Sequence, residues 1–199
     1  MKKVLLSAVA LLAFGFANAQ EEEKGNGGFA KGDAFLSGGF GFGSTSEGDA
    51  KSSDFTFSPA VGFFVTENIA LGARLNVESG KNEDAFGNET KSSAFGGEVF
   101  GRYYMAPASQ FSVFGELAAG FGSDKTEDAL GNETKYNGFG INAGVGVSYF
   151  LNSNFAIEAG WAGLGYNLRK ADVSGADAAN TFGLNVDLSS INFGLIYKL

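Results

Sequence analysis

The sequence contains no cysteine, no histidine, two prolines and a single tryptophan among 199 residues. The first two absences exclude the most. Without them there is no Cys/His zinc site, no disulfide framework, no thiol nucleophile and no Ser-His-Asp triad. Beyond the first twenty residues no apolar run reaches the length of about 18 residues that a membrane-spanning helix requires. Basic residues are also scarce, 14 against 22 acidic ones, and the formal charge of -8 disfavours a nucleic-acid partner held by phosphate neutralisation. What the chain has in abundance is glycine (31) and phenylalanine (21). Glycine without a Gly-X-Y period is not collagen, and this much phenylalanine is not disorder.

The N-terminus reads as an address. Lys2 and Lys3 give a basic start, residues 4–16 are apolar, and Ala17-Asn18-Ala19 is a small-x-small cleavage site. The expectation is a secretory signal peptide over residues 1–19, too short in its apolar run for a comfortable membrane anchor. Its removal takes two lysines and no acid, so 12 basic residues against 22 acidic ones leave -10. Residues 20–33 (QEEEKGNGGFAKGD) are acidic and Gly-rich and read as a flexible lead-in to one domain over residues 34–199.

From Ala34 onward apolar residues recur in twos, the strand period. Phe40 and Phe42 share a face with Leu36; Phe55, Phe57, Val61 and Phe63 follow, then Ile69, Leu71, Leu75 and Val77, then Phe95, Val99, Tyr103 and Met105. Further segments carry Phe111, Val113, Leu117 and Phe121; Phe139, Ile141, Val145, Val147 and Tyr149; Phe155, Ile157 and Trp161; and Ile191, Phe193, Leu195, Tyr197 and Leu199. The expectation is eight strands. Parity slips at Leu164, Tyr166 and Leu168 and again at Leu184, Val186 and Leu188, which predicts β-bulges near Ala162-Gly163 and Ser189-Ser190.

Connections alternate. Residues 66–68, 106–110 and 151–154 read as tight turns, whereas 44–54, 79–93, 123–138 and 169–181 read as long, charged loops. A repeat supports the hairpin reading: residues 83–91 (EDAFGNETK) recur as 127–135 (EDALGNETK), and Lys51-Ser52-Ser53-Asp54-Phe55, Lys91-Ser92-Ser93-Ala94-Phe95 and Lys135-Tyr136-Asn137-Gly138-Phe139 open successive strands alike.

Period two fits a secreted β-sandwich as well as a membrane barrel. Three features favour an all-β transmembrane antiparallel up-and-down barrel. Aromatics gather near both strand ends, Phe63, Tyr103, Phe111, Tyr149, Phe155 and Tyr197 by the short turns and Phe42, Phe55, Phe95, Phe121, Phe139 and Trp161 by the long loops. The opposite face is mostly Gly, Ala, Ser and Asn, suited to the narrow lumen of a small barrel, with Phe100, Tyr104, Phe114 and Phe150 filling it. The last strand alternates through Phe193, Leu195, Tyr197 and Leu199.

The signal segment, the eight strands and residues 192–199 (NFGLIYKL) together resemble the OmpA/OmpX-type eight-stranded outer-membrane β-barrels, a porin-like family. The resemblance implies a Gram-negative outer-membrane location and outer-membrane lipid as surroundings. It also implies a C-terminal signal, here Phe193, Leu195, Tyr197 and Leu199, read by the barrel-assembly machinery; that signal usually ends in Phe, and Leu199 departs from it. An architecture this generic does not transfer a function.

Charges on the lumen face are Arg74, Glu78, Glu98, Arg102, Glu116 and Glu158. Isolated charge in a low-dielectric interior is costly, so these residues are expected to pair as a structural ion cluster; a permeation path lined by the same groups is the alternative. Other matches are weak. Residues 138–143 fit G-x-G-x-x-A with no helix to follow. Glu83, Asp84, Glu89, Glu127, Asp128 and Glu133 offer carboxylates for Ca²⁺, against a solvated-loop reading. A Glu98/Glu116 pair would lie inside a filled barrel, out of reach of a sugar. Asn88 and Asn132 fit a glycosylation pattern that this export route does not use. No cofactor, metal or nucleic acid is expected. The expectation is a non-enzymatic barrel with a structural or surface-interaction role through four outward loops, open to an unidentified surface ligand, with a small porin-like channel for ions or small solutes as the alternative.

Overall fold

The computed structural model describes residues 27–173, 175–184 and 192–199. Among the described residues every element is a strand: β1 Ala34–Glu47, β2 Ala50–Phe64, β3 Ile69–Glu83, β4 Glu89–Tyr104, β5 Phe111–Glu127, β6 Glu133–Phe150, β7 Phe155–Ala171, β8 Ala178–Leu184 and β9 Asn192–Lys198. From β1 to β8 each strand pairs antiparallel with the next. β8 pairs with the far half of β7 and β9 with its near half, so the two share one position in the wall. β9 also pairs with β1, from Phe35↔Lys198 to Gly39↔Gly194, and so closes the eight-position barrel at its short-turn half.

The outward face is a band of exposed and half-buried apolar side chains. It runs from Phe63 to Phe55 on β2, Ile69 to Val77 on β3, Tyr103 to Phe95 on β4, Phe111 to Phe121 on β5 and Tyr149 to Phe139 on β6. These stretches match the roughly 9–11 residues that a tilted strand needs to cross a bilayer. Phe155 keeps the outward parity of Ile157 but is covered by the Tyr197 ring, centroids 4.9 Å apart. Pro59 cannot donate to a ladder; it faces Gly38 of β1, while the β2–β3 register is interrupted between Phe57↔Val77 and Ala60↔Arg74.

The parity slip in β7 is a bulge at Gly163. Ala143 pairs with Leu164 and Gly144 with Ala162, so Leu164 and Tyr166 return to the outward face. The expected second bulge at Ser189-Ser190, the residues Val186 and Leu188, the signal segment 1–19, residues 20–26 and the Trp161 side chain lie outside the described residues.

Two expectations need correction. The segments read as long loops are mostly strand: 79–93 forms the ends of β3 and β4 around a turn at 84–88, and 123–138 does the same around 128–132. Beyond the bilayer a ladder needs only backbone pairing, so polar residues such as Lys81 and Thr90 continue it without an apolar face. The flexible lead-in also ends early. From Gly27 the chain folds against the short-turn end of the barrel: Phe29 N–H donates to Pro107 O at 2.7 Å and Lys198 Nζ to Gly28 O at 2.7 Å.

Each short turn is fastened to the next strand end in the same way. Tyr104, Phe150 and Lys198 donate their N–H to the carbonyls of Asn68, Gln110 and Asn154 at 2.7–2.8 Å. Asn68 Nδ2, Gln110 Nε2 and Asn154 Nδ2 donate back to the carbonyls of Tyr104, Phe150 and Lys198.

Candidate functional site

Four large inward side chains of the lumen each lie over a glycine directly opposite. Phe35 lies over Gly62, Phe100 over Gly72, Phe114 over Gly146 and Glu98 over Gly120, and a Cβ at any of these glycines would strike its neighbour. In a barrel this narrow, a missing Cβ is what lets a ring or carboxylate lie across the adjacent strand.

At mid-depth five of the six charges singled out above come together. Arg74 Nη1 donates to Glu98, and its Nη1 and Nη2 reach Glu116 Oε1 and Oε2 at 3.1 and 2.8 Å. Arg102 Nε donates to Glu116 Oε2 at 2.5 Å and Arg102 Nη1 to Glu158 Oε2 at 2.7 Å. Arg102 Nη1 also donates to the Tyr104 hydroxyl at 3.2 Å. Phe100 lies beneath both guanidinium groups and Phe114 beneath Arg102, with the carbon centres 4.4–5.0 Å from the ring centroids. Arg102 is only 3% exposed. Glu78 does not join: it is exposed and forms no ion pair among the described residues.

Towards the short turns the lumen is closed by aromatic rings. Phe29, Phe35, Phe64, Tyr104, Phe114 and Phe150 are each at most 4% exposed. Phe29 is at their centre, with centroids 4.6 Å from Phe64, 4.8 Å from Phe150, 5.4 Å from Phe35 and 5.7 Å from Tyr104. Phe100, Tyr104, Phe114 and Phe150 were legible as lumen fillers from strand parity. Phe29, in a Gly-rich polar stretch without period, was not.

The hairpin carboxylates weighed for calcium turn to other partners. Asp84 accepts from Phe86 N, Asn88 N and Asn88 Nδ2 at 2.8–2.9 Å, and Asp128 repeats this with Leu130 and Asn132 at 2.9 Å. The Asn88 and Asn132 side chains, followed by the turn amides, hold both aspartates below the usual carboxylate range. Glu89 pairs with Lys81 at 2.5 Å and Lys91 at 3.0 Å, and Glu133 pairs with Lys125. Residues 138–143 lie inside β6, so the glycine motif opens no helix. At the C-terminal segment, Phe193 and Leu199 are exposed, Leu195 and Tyr197 half-buried, and Leu199 N–H donates to Ala34 O at 2.9 Å.

A family model described as the outer membrane protein beta-barrel domain matches residues 6–198. No curated protein matches the chain. Among solved structures, Neisserial surface protein A is similar at 14% identity, with 83% of this chain and 97% of that one covered and a TM-score of 0.46. Ail, the attachment invasion locus protein of Yersinia pestis, is similar at 12% identity, with 85% and 99% covered and a TM-score of 0.46. The N-terminal β-barrel domain of Pseudomonas aeruginosa OprF is similar at 12% identity, with 86% and 100% covered and a TM-score of 0.38.

Proposed function

This chain belongs to the outer membrane protein β-barrel family, and we propose that it is a non-enzymatic, non-conducting barrel whose role is structural or one of surface contact. The observation that carries this reading is the lumen, obstructed at two levels: the cluster of Arg74, Glu98, Arg102, Glu116 and Glu158 at mid-depth and the rings around Phe29 at the short-turn end. In this reading both termini face the periplasm and the long hairpins face outward, as the family's asymmetry of short turns and long connections suggests. The exposed tips Phe86 and Leu130, 92% and 87% accessible, would then be the surface offered to a partner.

Purified, folded protein in planar lipid bilayers should give no reproducible conductance. Steady unitary currents would overturn the reading in favour of a small porin-like channel. In the same proposal Phe193, Leu195, Tyr197 and Leu199 form the segment read by the assembly machinery. Leu199→Phe should then raise the folded fraction in the membrane, scored by the heat-dependent shift in gel mobility.

A further inference from the structure

Residues 27–33 precede the first strand, yet they cross the short-turn mouth of the barrel. In the eight-position wall the turn joining β4 to β5 lies opposite the β1–β9 seam, and the segment is held from both sides. At the turn, Phe29 N–H donates to Pro107 O at 2.7 Å, and a Cβ on Gly28 would strike the Ala108 backbone. From the seam, Lys198 Nζ of β9 donates to Gly28 O at 2.7 Å and lies 3.7 Å from Asp33 Oδ2. Gly32 N–H donates to Phe64 O at 2.9 Å and Phe64 N–H to Asp33 O at 2.8 Å, which fastens the segment to β2 just before β1 begins. Gly32 makes this bend at φ +96°, where a side chain would be strained.

The seat selects its occupant. A Cβ on Gly27 would strike Phe150 and the Asn152 carbonyl, so two successive glycines let the backbone lie flush across the mouth while the next residue, Phe29, sends its ring into the lumen. The seat is also composite. Gly28 and Lys198 are 170 residues apart in the chain, and the rings around Phe29 come from β1, β2, β4 and β6, so these partners share one site only in a closed wall. The grip from Lys198 also falls where the ladder is short. Among the described residues the seam pairs from Phe35↔Lys198 to Gly39↔Gly194, whereas β1 and β2 pair from Ala34↔Phe63 to Glu47↔Ala50.

We propose that the short-turn mouth is a binding site for a Gly-Gly-Phe peptide, filled by the chain's own residues 27–33, and that this segment is a latch: it docks after the wall has closed and then holds β9 against reopening. Contacts made after the rate-limiting step slow unfolding and leave the folding rate almost unchanged. The latch therefore sets how long the barrel stays folded, not how fast it forms.

The test follows the whole protein by its heat-dependent gel shift, during refolding into phosphatidylcholine vesicles and during unfolding from them in guanidinium. Gly28→Val keeps Phe29 but cannot lie against Ala108, and Lys198→Met removes the grip from β9. Both should refold within about twofold of the unaltered protein, while unfolding becomes about 100-fold faster for Gly28→Val and about tenfold faster for Lys198→Met. In the protein carrying both changes, unfolding should be no faster than with Gly28→Val alone, because an unseated segment leaves Lys198 no carbonyl to hold. If Gly28→Val does not fold, Gly27→Ala takes its place in both comparisons. Unfolding rates equal to that of the unaltered protein would overturn the proposal. So would refolding slowed by more than unfolding is accelerated, which would place docking before closure, or effects of the two changes that multiply.

Discussion

Phe29 stacks on Phe64 with ring centroids 4.6 Å apart and planes 26° from parallel, joining a segment that precedes the first strand to the end of β2. The contact makes the N-terminal segment part of the barrel's core. Phe29→Ala should lower the stability of the folded barrel by about 3–5 kcal/mol, the usual cost of emptying a buried aromatic site, measured by urea titration in detergent or lipid. An unchanged midpoint would show that Phe29 is not held in the lumen.

Arg102 joins Glu116 to Glu158 from a site that is almost wholly buried. Arg102→Ala strands Glu158 and leaves Glu116 with Arg74 alone, and should cost about 3–5 kcal/mol. Lys125→Ala removes an exposed pair with Glu133, for which about 0–1 kcal/mol is expected. Equal denaturation midpoints for the two variants would contradict a structural role for the ion cluster.

Ser112 and Ser148 are opposite one another on β5 and β6, both buried, and neither hydroxyl has a hydrogen-bond partner among the described residues. Removing an unsatisfied hydroxyl relieves a desolvation cost instead of breaking a bond. Ser148→Ala should therefore leave stability unchanged or raise it by about 1 kcal/mol, whereas a loss of similar size would reveal a partner for the hydroxyl.

The duplicated hairpin tips each place a glycine at φ +80°, Gly87 and Gly131, a conformation that costs other residues about 1–2 kcal/mol. Gly87→Ala should loosen its own tip and leave the tip at Gly131 unchanged, as seen in amide exchange at Phe86 and Leu130.

The same tips carry the depressed aspartates Asp84 and Asp128. A carboxyl with a lowered folded pKa contributes order that is complete above its unfolded value, near 3.9. That contribution fades as the pH falls through the folded value. Amide protection at Asn88 and Asn132 should thus be flat through neutral pH and decline only in strong acid. A decline centred near neutrality would rule out Asp84 and Asp128 as its source.

Much of the barrel is legible in the sequence because a wall one residue thick writes its two environments into alternate positions. Parity alone assigns Phe95 and Val99 to lipid and Phe100 and Arg102 to the lumen, and the slip at Leu164 locates the bulge that Gly163 makes. The extent of β3 to β6 is less legible, since ladders beyond the bilayer are held by backbone bonds and need no apolar period.

By itself the sequence determined the strand period, the two faces, the charges that must be satisfied inside and the repeated hairpin tips, because all of these are local patterns along one strand or turn. The tertiary structure decided which groups meet. Strand register sets Arg74 between Glu98 and Glu116 while Glu78 stays apart, glycines opposite Phe35, Phe100 and Phe114 make room for rings that span strands, and closure of the wall creates the cavity that Phe29 fills. Those outcomes depend on shear and closure, which bring together residues far apart in the chain and have no local signature.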